Sequence, residues 1–218
     1  MQKKDLSNHE ITKNNTKELF LTYDQEKMIK KWDLKHDEEY LYINFLNTPY
    51  RINRLTGNVE ELDLSGGVLR EAGFSDTLSI FDVLCYSKDD CRLAGTFCTV
   101  NSLKGIAYTA GPGSGMFDRN AAVVDKNQHI FAEFFESLGG EKVTGGDISY
   151  KIQIFDFMPA IVRFWAADDE FPAEIKFYWD ENILMYMHFE TVFFIMSHIY
   201  GLLRKYAEKC GIKFEEGR

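Results

Sequence analysis

Apolar and polar positions change rhythm several times along this chain. The clearest period of two lies where Ile148, Tyr150, Ile152 and Ile154 alternate with Ser149, Lys151, Gln153 and Phe155. Successive side chains of a strand point to opposite faces, so this alternation predicts a half-buried strand. The runs Ala160 to Ala166 and Glu174 to Trp179 follow closely enough to pair with it as antiparallel neighbours. In the last run Ile175, Phe177 and Trp179 share one face and Glu174, Lys176 and Tyr178 the other, as expected of a sheet covered by helices on one side. Upstream, Tyr40, Tyr42 and Asn44 alternate with Leu41, Ile43 and Phe45. A turn at Asn47-Thr48-Pro49 and another at Thr56-Gly57-Asn58 complete a small meander running to Leu62.

Between these meanders the apolar spacing lengthens to that of helices. Leu19, Phe20, Tyr23, Met28 and Trp32 predict one helix starting near Thr16, with Lys27, Lys30 and Lys31 suited to the dipole of its later turns. Ser75 or Asp76 caps a second helix bearing Leu78, Ile80, Phe81, Val83 and Leu84. Asp118 caps a third, extending to Leu138 and closed by Gly139-Gly140. A final helix from about Glu190 to Lys209 carries Val192, Ile195, Met196, Ile199, Leu202, Leu203 and Tyr206 as one stripe, and Gly211 stops it. The expected fold class is α+β, an antiparallel sheet from two meanders covered by helices. Residues 1–15 read as a flexible arm, 16–210 as a single α+β domain and 211–218 as a tail.

Composition narrows the function classes. A net charge of −9 and a pI near 5.1 argue against nucleic acid as a partner, since phosphate binding draws on clustered Lys and Arg. The first residues lack the continuous apolar core of a secretory signal, which predicts a cytoplasmic protein. The most apolar window, Val192 to Leu203, is too short to span a bilayer, so no membrane association is expected. Cys85, Cys91, Cys98 and Cys210 contain no Cys-x-x-Cys pair. Reduced packing or loop cysteines are the expectation, with a metal role for the first three as the alternative.

Candidate chemistry centres on Asp168, Asp169 and Glu170. Three adjacent carboxylates repel one another unless water, donors or a ligand offset the cost, so they form either a hydrated hairpin tip or a site. As a site, Asp169 or Glu170, beside Trp165 and near Asp147, would bind a cationic or hydroxylated ligand or a hard metal, although no spaced Asp-x-Asp-x-Asp loop supports the metal. As an enzyme, Asp169 or Glu170 would perform acid–base chemistry, which needs one carboxyl raised and another kept ionised. The glycine run at residues 111–115 feeds a helix N-terminus, a ready anion site. No Lys-Ser or Lys-Thr follows it, and Asp118 would repel a phosphate. Arg119 and Arg163 are the candidates for an anionic group on a ligand. His188 with Glu190 forms either a ligand pair or an ordinary helix cap. No cofactor is singled out.

Phe164-Trp165, Asp168-Asp169-Glu170-Phe171-Pro172, Phe177-Tyr178-Trp179-Asp180 and Met187-His188-Phe189-Glu190 together resemble an uncharacterised family, a domain of unknown function of anaerobic bacteria and archaea. Ile80 to Tyr86, Leu138-Gly139-Gly140, Gly146-Asp147 and Met158-Pro159 extend the likeness over about residues 78–200. In that family the last helix is entered through Leu-Pro-x-Glu, and here His188 takes the proline position. Some relatives are joined to a four-cysteine iron–sulfur segment of the kind found in corrinoid proteins, a segment not present in these 218 residues. The resemblance implies a setting in anaerobic corrinoid or one-carbon metabolism, with a corrinoid or iron–sulfur protein as partner, and no known reaction. The first expectation is therefore a small-molecule-binding or accessory protein holding its ligand between the glycine loop and the Trp165–Glu170 segment. The alternatives are an acid–base enzyme and a non-catalytic scaffold.

Overall fold

The computed structural model describes residues 7–63, 65–105 and 118–213, the side chains of 118–120 excepted. In chain order the helices are α1 (Asn8–Phe20), α2 (Gln25–Trp32), α3 (Phe74–Tyr86), α4 (Asp118–Asp125), α5 (Gln128–Ser137) and α6 (Phe189–Lys209). The strands are β1 (Lys35–His36), β2 (Tyr40–Phe45), β3 (Thr48–Asn53), β4 (Val59–Leu62), β5 (Val68–Glu71), β6 (Phe97–Thr99), β7 (Glu141–Lys142), β8 (Ile148–Phe155), β9 (Met158–Trp165) and β10 (Glu174–Asp180). The class is α+β, and every described register is antiparallel. Contacts divide the chain into two compact units. The first is Met1–Cys91 with Phe155–Phe157 and Met185–Ile195; the second is Arg92–Ile154, Met158–Leu184 and Met196–Arg218.

The first unit is built on the β1 to β5 meander. Leu41, Ile43 and Phe45 on β2, with Tyr50 and Ile52 on β3, are buried, so the alternation read from the sequence is the alternation of the core face. The β2–β3 turn falls at Leu46-Asn47, both at positive φ, and Thr48 already belongs to β3. The turn is one residue tighter than expected because Asn tolerates the left-handed region that two-residue hairpins require. Helix α3 buries Ile80, Phe81, Val83 and Leu84, and Phe81 stacks on Phe20 of α1 at 4.7 Å. Gly73 occupies its N-cap, and Asp76 reaches back to the Gly73 amide at 3.0 Å.

Three helix assignments differ from expectation. A helix begins at Asn8, inside the stretch read as an arm: Ser7 caps the Glu10 amide while the Glu10 side chain returns to the Ser7 amide. The predicted helix from Thr16 to Trp32 is two helices, because Asp24 accepts from the Lys27 amide and starts a new N-terminus. Likewise the predicted helix from Asp118 to Leu138 breaks between α4 and α5, where Asn127 turns its amide to the Val123 carbonyl.

In the second unit β10 lies between β9 and β6. Phe164 meets Phe131 of α5 at 5.7 Å, and Phe177 meets Tyr200 of α6 at 5.5 Å, so helices cover the apolar face of this sheet. Trp179 and Phe164 are fully buried there. Among the described residues no helix is long and apolar enough to cross a membrane.

Candidate functional site

The acidic turn lies in the second unit, where β9 ends at Trp165 and β10 begins at Glu174. Asp168, Asp169 and Glu170 are exposed, and the Phe171 ring beside them is 66% exposed. The Asp168 carboxylate accepts from the Glu170 and Phe171 amides at 2.8 and 2.7 Å, and those two bonds hold its carboxyl below the usual range. It is the internal acceptor of its own turn. Asp169 and Glu170 point outward without a described partner, and no described residue encloses them from water.

The neighbouring candidates have backbone or packing roles. Asp147 accepts from the Ala166 amide at 2.8 Å and ties the glycine turn at Gly145-Gly146 to the end of β9. Arg163 lies across the Tyr178 ring at 4.5 Å and against Gly145, where a Cβ would come within 2.8 Å of its guanidinium carbon. Trp165 receives the Lys176 ammonium over its ring at 5.4 Å. The structure therefore gathers Trp165, Arg163 and Asp147 beside the turn, each in contact with protein groups, and leaves Arg163 Nε buried without a hydrogen-bond partner. The glycine run at 111–115 lies outside the described residues, and Arg119 falls within α4 with its side chain likewise outside them.

His188 and Glu190 belong to the first unit. Asp82, buried on α3, accepts from the His188 amide at 2.8 Å and from the Thr191 hydroxyl at 2.5 Å with one oxygen. Its other oxygen accepts the Nδ1 proton of His188 at 2.6 Å. One carboxylate thus caps α6 and fixes the histidine tautomer, leaving Nε2 as an acceptor. The cap of α6 comes from another helix, and Glu190 is exposed in the first turn. Tyr86 meets the His188 ring edge-on at 4.5 Å. Behind it, burial and then the Asp82 charge push the Cys85 thiol up to about 12, which suppresses the thiolate a nucleophile requires. Among the described residues no group of His, Cys, Asp and Glu is placed to hold a metal ion, Cys85, Cys91 and Cys98 included.

The first unit also contains an open cavity of about 460 Å³ that the sequence did not single out. It forms where α2 ends and β1 and β2 begin, facing the turn between β8 and β9. Its apolar walls are Trp32, Pro49 and Phe157, and its polar groups come from Asp33, Lys35, His36, Tyr42, Asn44 and Asp156. Trp32 stacks on Phe157 at 4.0 Å, and its indole Nε1 is buried with no hydrogen-bond partner. The Asn44 amide donates to both Asp156 oxygens at 3.0 and 3.3 Å, which leaves its own carbonyl oxygen available. His36 donates Nδ1–H to the Leu34 carbonyl at 3.1 Å, so Nε2 is an acceptor. Tyr42 donates to Asp37 at 2.7 Å, and this bond with two backbone amides holds the Asp37 carboxyl low. Concavity, aromatic walls and a few converging polar groups are the attributes of ligand pockets, and the volume lies in their usual range.

A second concavity, of about 320 Å³, lies between α2 and the end of α3. Its charged groups are already used. Lys31 donates to the Ser87 hydroxyl at 2.7 Å and to the Ser87 and Lys88 carbonyls at 2.9 and 2.7 Å, closing the C-terminus of α3, and Lys27 pairs with Asp89.

Residues 24–201 match the model of a family described as a domain of unknown function (DUF3786). No curated protein and no solved structure matches the chain.

Proposed function

The chain belongs to the DUF3786 family of domains of unknown function, and from that premise, which fixes a family and no reaction, we propose that it is a small-molecule-binding protein. The ligand occupies the cavity between Trp32, Asn44 and Asp156. The observation that supports this reading is the convergence, in one open cavity of about 460 Å³, of aromatic walls with the Asn44 carbonyl oxygen, the His36 ring and two carboxylates, Asp33 and Asp156. The setting in anaerobic corrinoid or one-carbon metabolism rests on the resemblance alone. It adds intact corrinoids and corrinoid or iron–sulfur proteins to the compounds and partners to be tested. A cavity of this size suits a small molecule rather than a whole corrinoid.

The test is a fragment screen by protein-observed NMR on the full chain, with corrinoids included. Binding that shifts the Trp32 indole and Asn44 side-chain signals, and that weakens at least about tenfold in Asn44→Ala without a fall in melting temperature, is the expected result. A screen in which no compound moves those signals overturns the proposal.

A further inference from the structure

The ligand class can be taken a step further from the charges around the same cavity, an inference that rests on the binding role just proposed. Two carboxylates line it. Asp156 is exposed and is engaged only by the uncharged Asn44 amide, and Asp33 is exposed with no described partner. Neither has an ion-pair partner among the described residues.

The position of Asp33 sharpens the point. It is the C-cap of α2, in the left-handed region at φ 50° and ψ 45°. The end of a helix is its negative pole, where cations are favoured and an acid is opposed. Lys30 and Lys31 in the last turn of α2 already offset that pole, and the left-handed cap favours Asn or Asp, so what Asp33 adds to the cavity is an exposed carboxylate with no described partner. The Asn44 carbonyl oxygen and His36 Nε2 add acceptors, and the Tyr42 ring adds aromatic surface, the usual company of an organic cation. Lys35 supplies the opposing charge among the described lining residues and a donor that suits an oxygen acceptor elsewhere on the ligand.

We infer that the cavity selects a small organic cation, an amine or quaternary ammonium compound that also carries an oxygen acceptor. Choline is the simplest probe. Its neutral carbon analogue, in which the quaternary nitrogen is replaced by carbon, has the same shape and hydroxyl and lacks only the charge.

Both compounds are titrated into the full chain by NMR and calorimetry, at low and at moderate salt. Choline is expected to bind at least about tenfold tighter than the analogue, a difference of about 1.4 kcal/mol. Asp33→Asn, which keeps a residue tolerant of the left-handed region, and Asp156→Asn are expected to bring the ratio toward one while leaving the analogue's affinity unchanged. Melting temperatures of both variants establish that they fold. Equal or tighter binding of the analogue at the Asn44 and Trp32 signals overturns the cation assignment and leaves the binding role standing. Binding at those signals by screened compounds that are all neutral or anionic does the same. A screen in which nothing reaches the cavity overturns both.

Discussion

At single residues, several aspartates of this chain satisfy backbone amides. Asp180, fully buried at the end of β10, accepts from the amides of Ala94, Gly95 and Asn182 at 2.8 to 2.9 Å. It fastens the segment before β6 to the strand that β6 pairs with. Asp147 and Asp168 do the same for shorter stretches. Asp180→Ala orphans three donors in a dry site and is expected to destabilise the protein by about 3 kcal/mol or more. Asp180→Asn keeps an acceptor and should cost less, and urea unfolding of the two variants checks the order. Cysteine behaviour also follows from surroundings. With its thiol raised to about 12, Cys85 carries at pH 8 a thiolate fraction of about one in ten thousand. Cys210 is exposed. Alkylation followed by mass spectrometry at pH 8 should therefore label Cys210 faster than Cys85 in the folded protein; equal rates in buffer would contradict the raised thiol.

At the scale of elements, the start of α6 is fastened to α3 through Asp82. Most helices begin at a side chain a few residues away in sequence, whereas α6 begins at a carboxylate more than a hundred residues earlier, Asp82. Asp82→Ala should cost about 2–3 kcal/mol, because it removes a cap and leaves the His188 amide and Thr191 hydroxyl unpaired. Thr191→Val removes one of those bonds and should cost about 1 kcal/mol; a loss in Asp82→Ala no greater than in Thr191→Val would show that the joint is not made through the carboxylate. This cap also explains what was legible in the sequence and what was not. The strands were legible because burial itself has period two, and Leu41, Ile43, Ile152 and Ile154 carry it directly. The long helix of the last stripe was legible for the same reason at period 3.6. The breaks at Asp24 and Asn127 were not, since the apolar spacing continues across both and only the side-chain bond to the backbone decides. The cavity was least legible of all. Its lining comes from residues 32–36, 42–44, 49–50 and 156–157, and no spacing within one segment announces that four segments meet.

For the molecule as a whole, the buried Tyr50 phenol is expected to weaken stability at alkaline pH. Burial, followed by the Asp76 and Glu61 carboxylates, raises the Tyr50 phenol well above its ordinary value, and Asp76 accepts its hydroxyl. Cys85 is raised in the same sense. Both groups are neutral when protonated, and both bind their protons more tightly in the folded chain than in the unfolded one. Their contribution is therefore complete below the unfolded values, about 9 for the thiol and 10 for the phenol. Above those values the unfolded chain sheds protons that the folded chain retains, so unfolding gains ground with each further unit of pH at about 1.4 kcal/mol per group. The net charge of −9 acts in the same direction through general repulsion, and added salt separates the two effects because it screens surface charge and leaves a buried phenol untouched. Urea midpoints measured from pH 7 to 11 at high salt should hold level to about pH 9 and then fall. In Tyr50→Phe the midpoint should start lower, for want of the bond to Asp76, and fall less steeply above pH 10. Parallel alkaline slopes in the two proteins at high salt would place the alkaline loss elsewhere than at Tyr50.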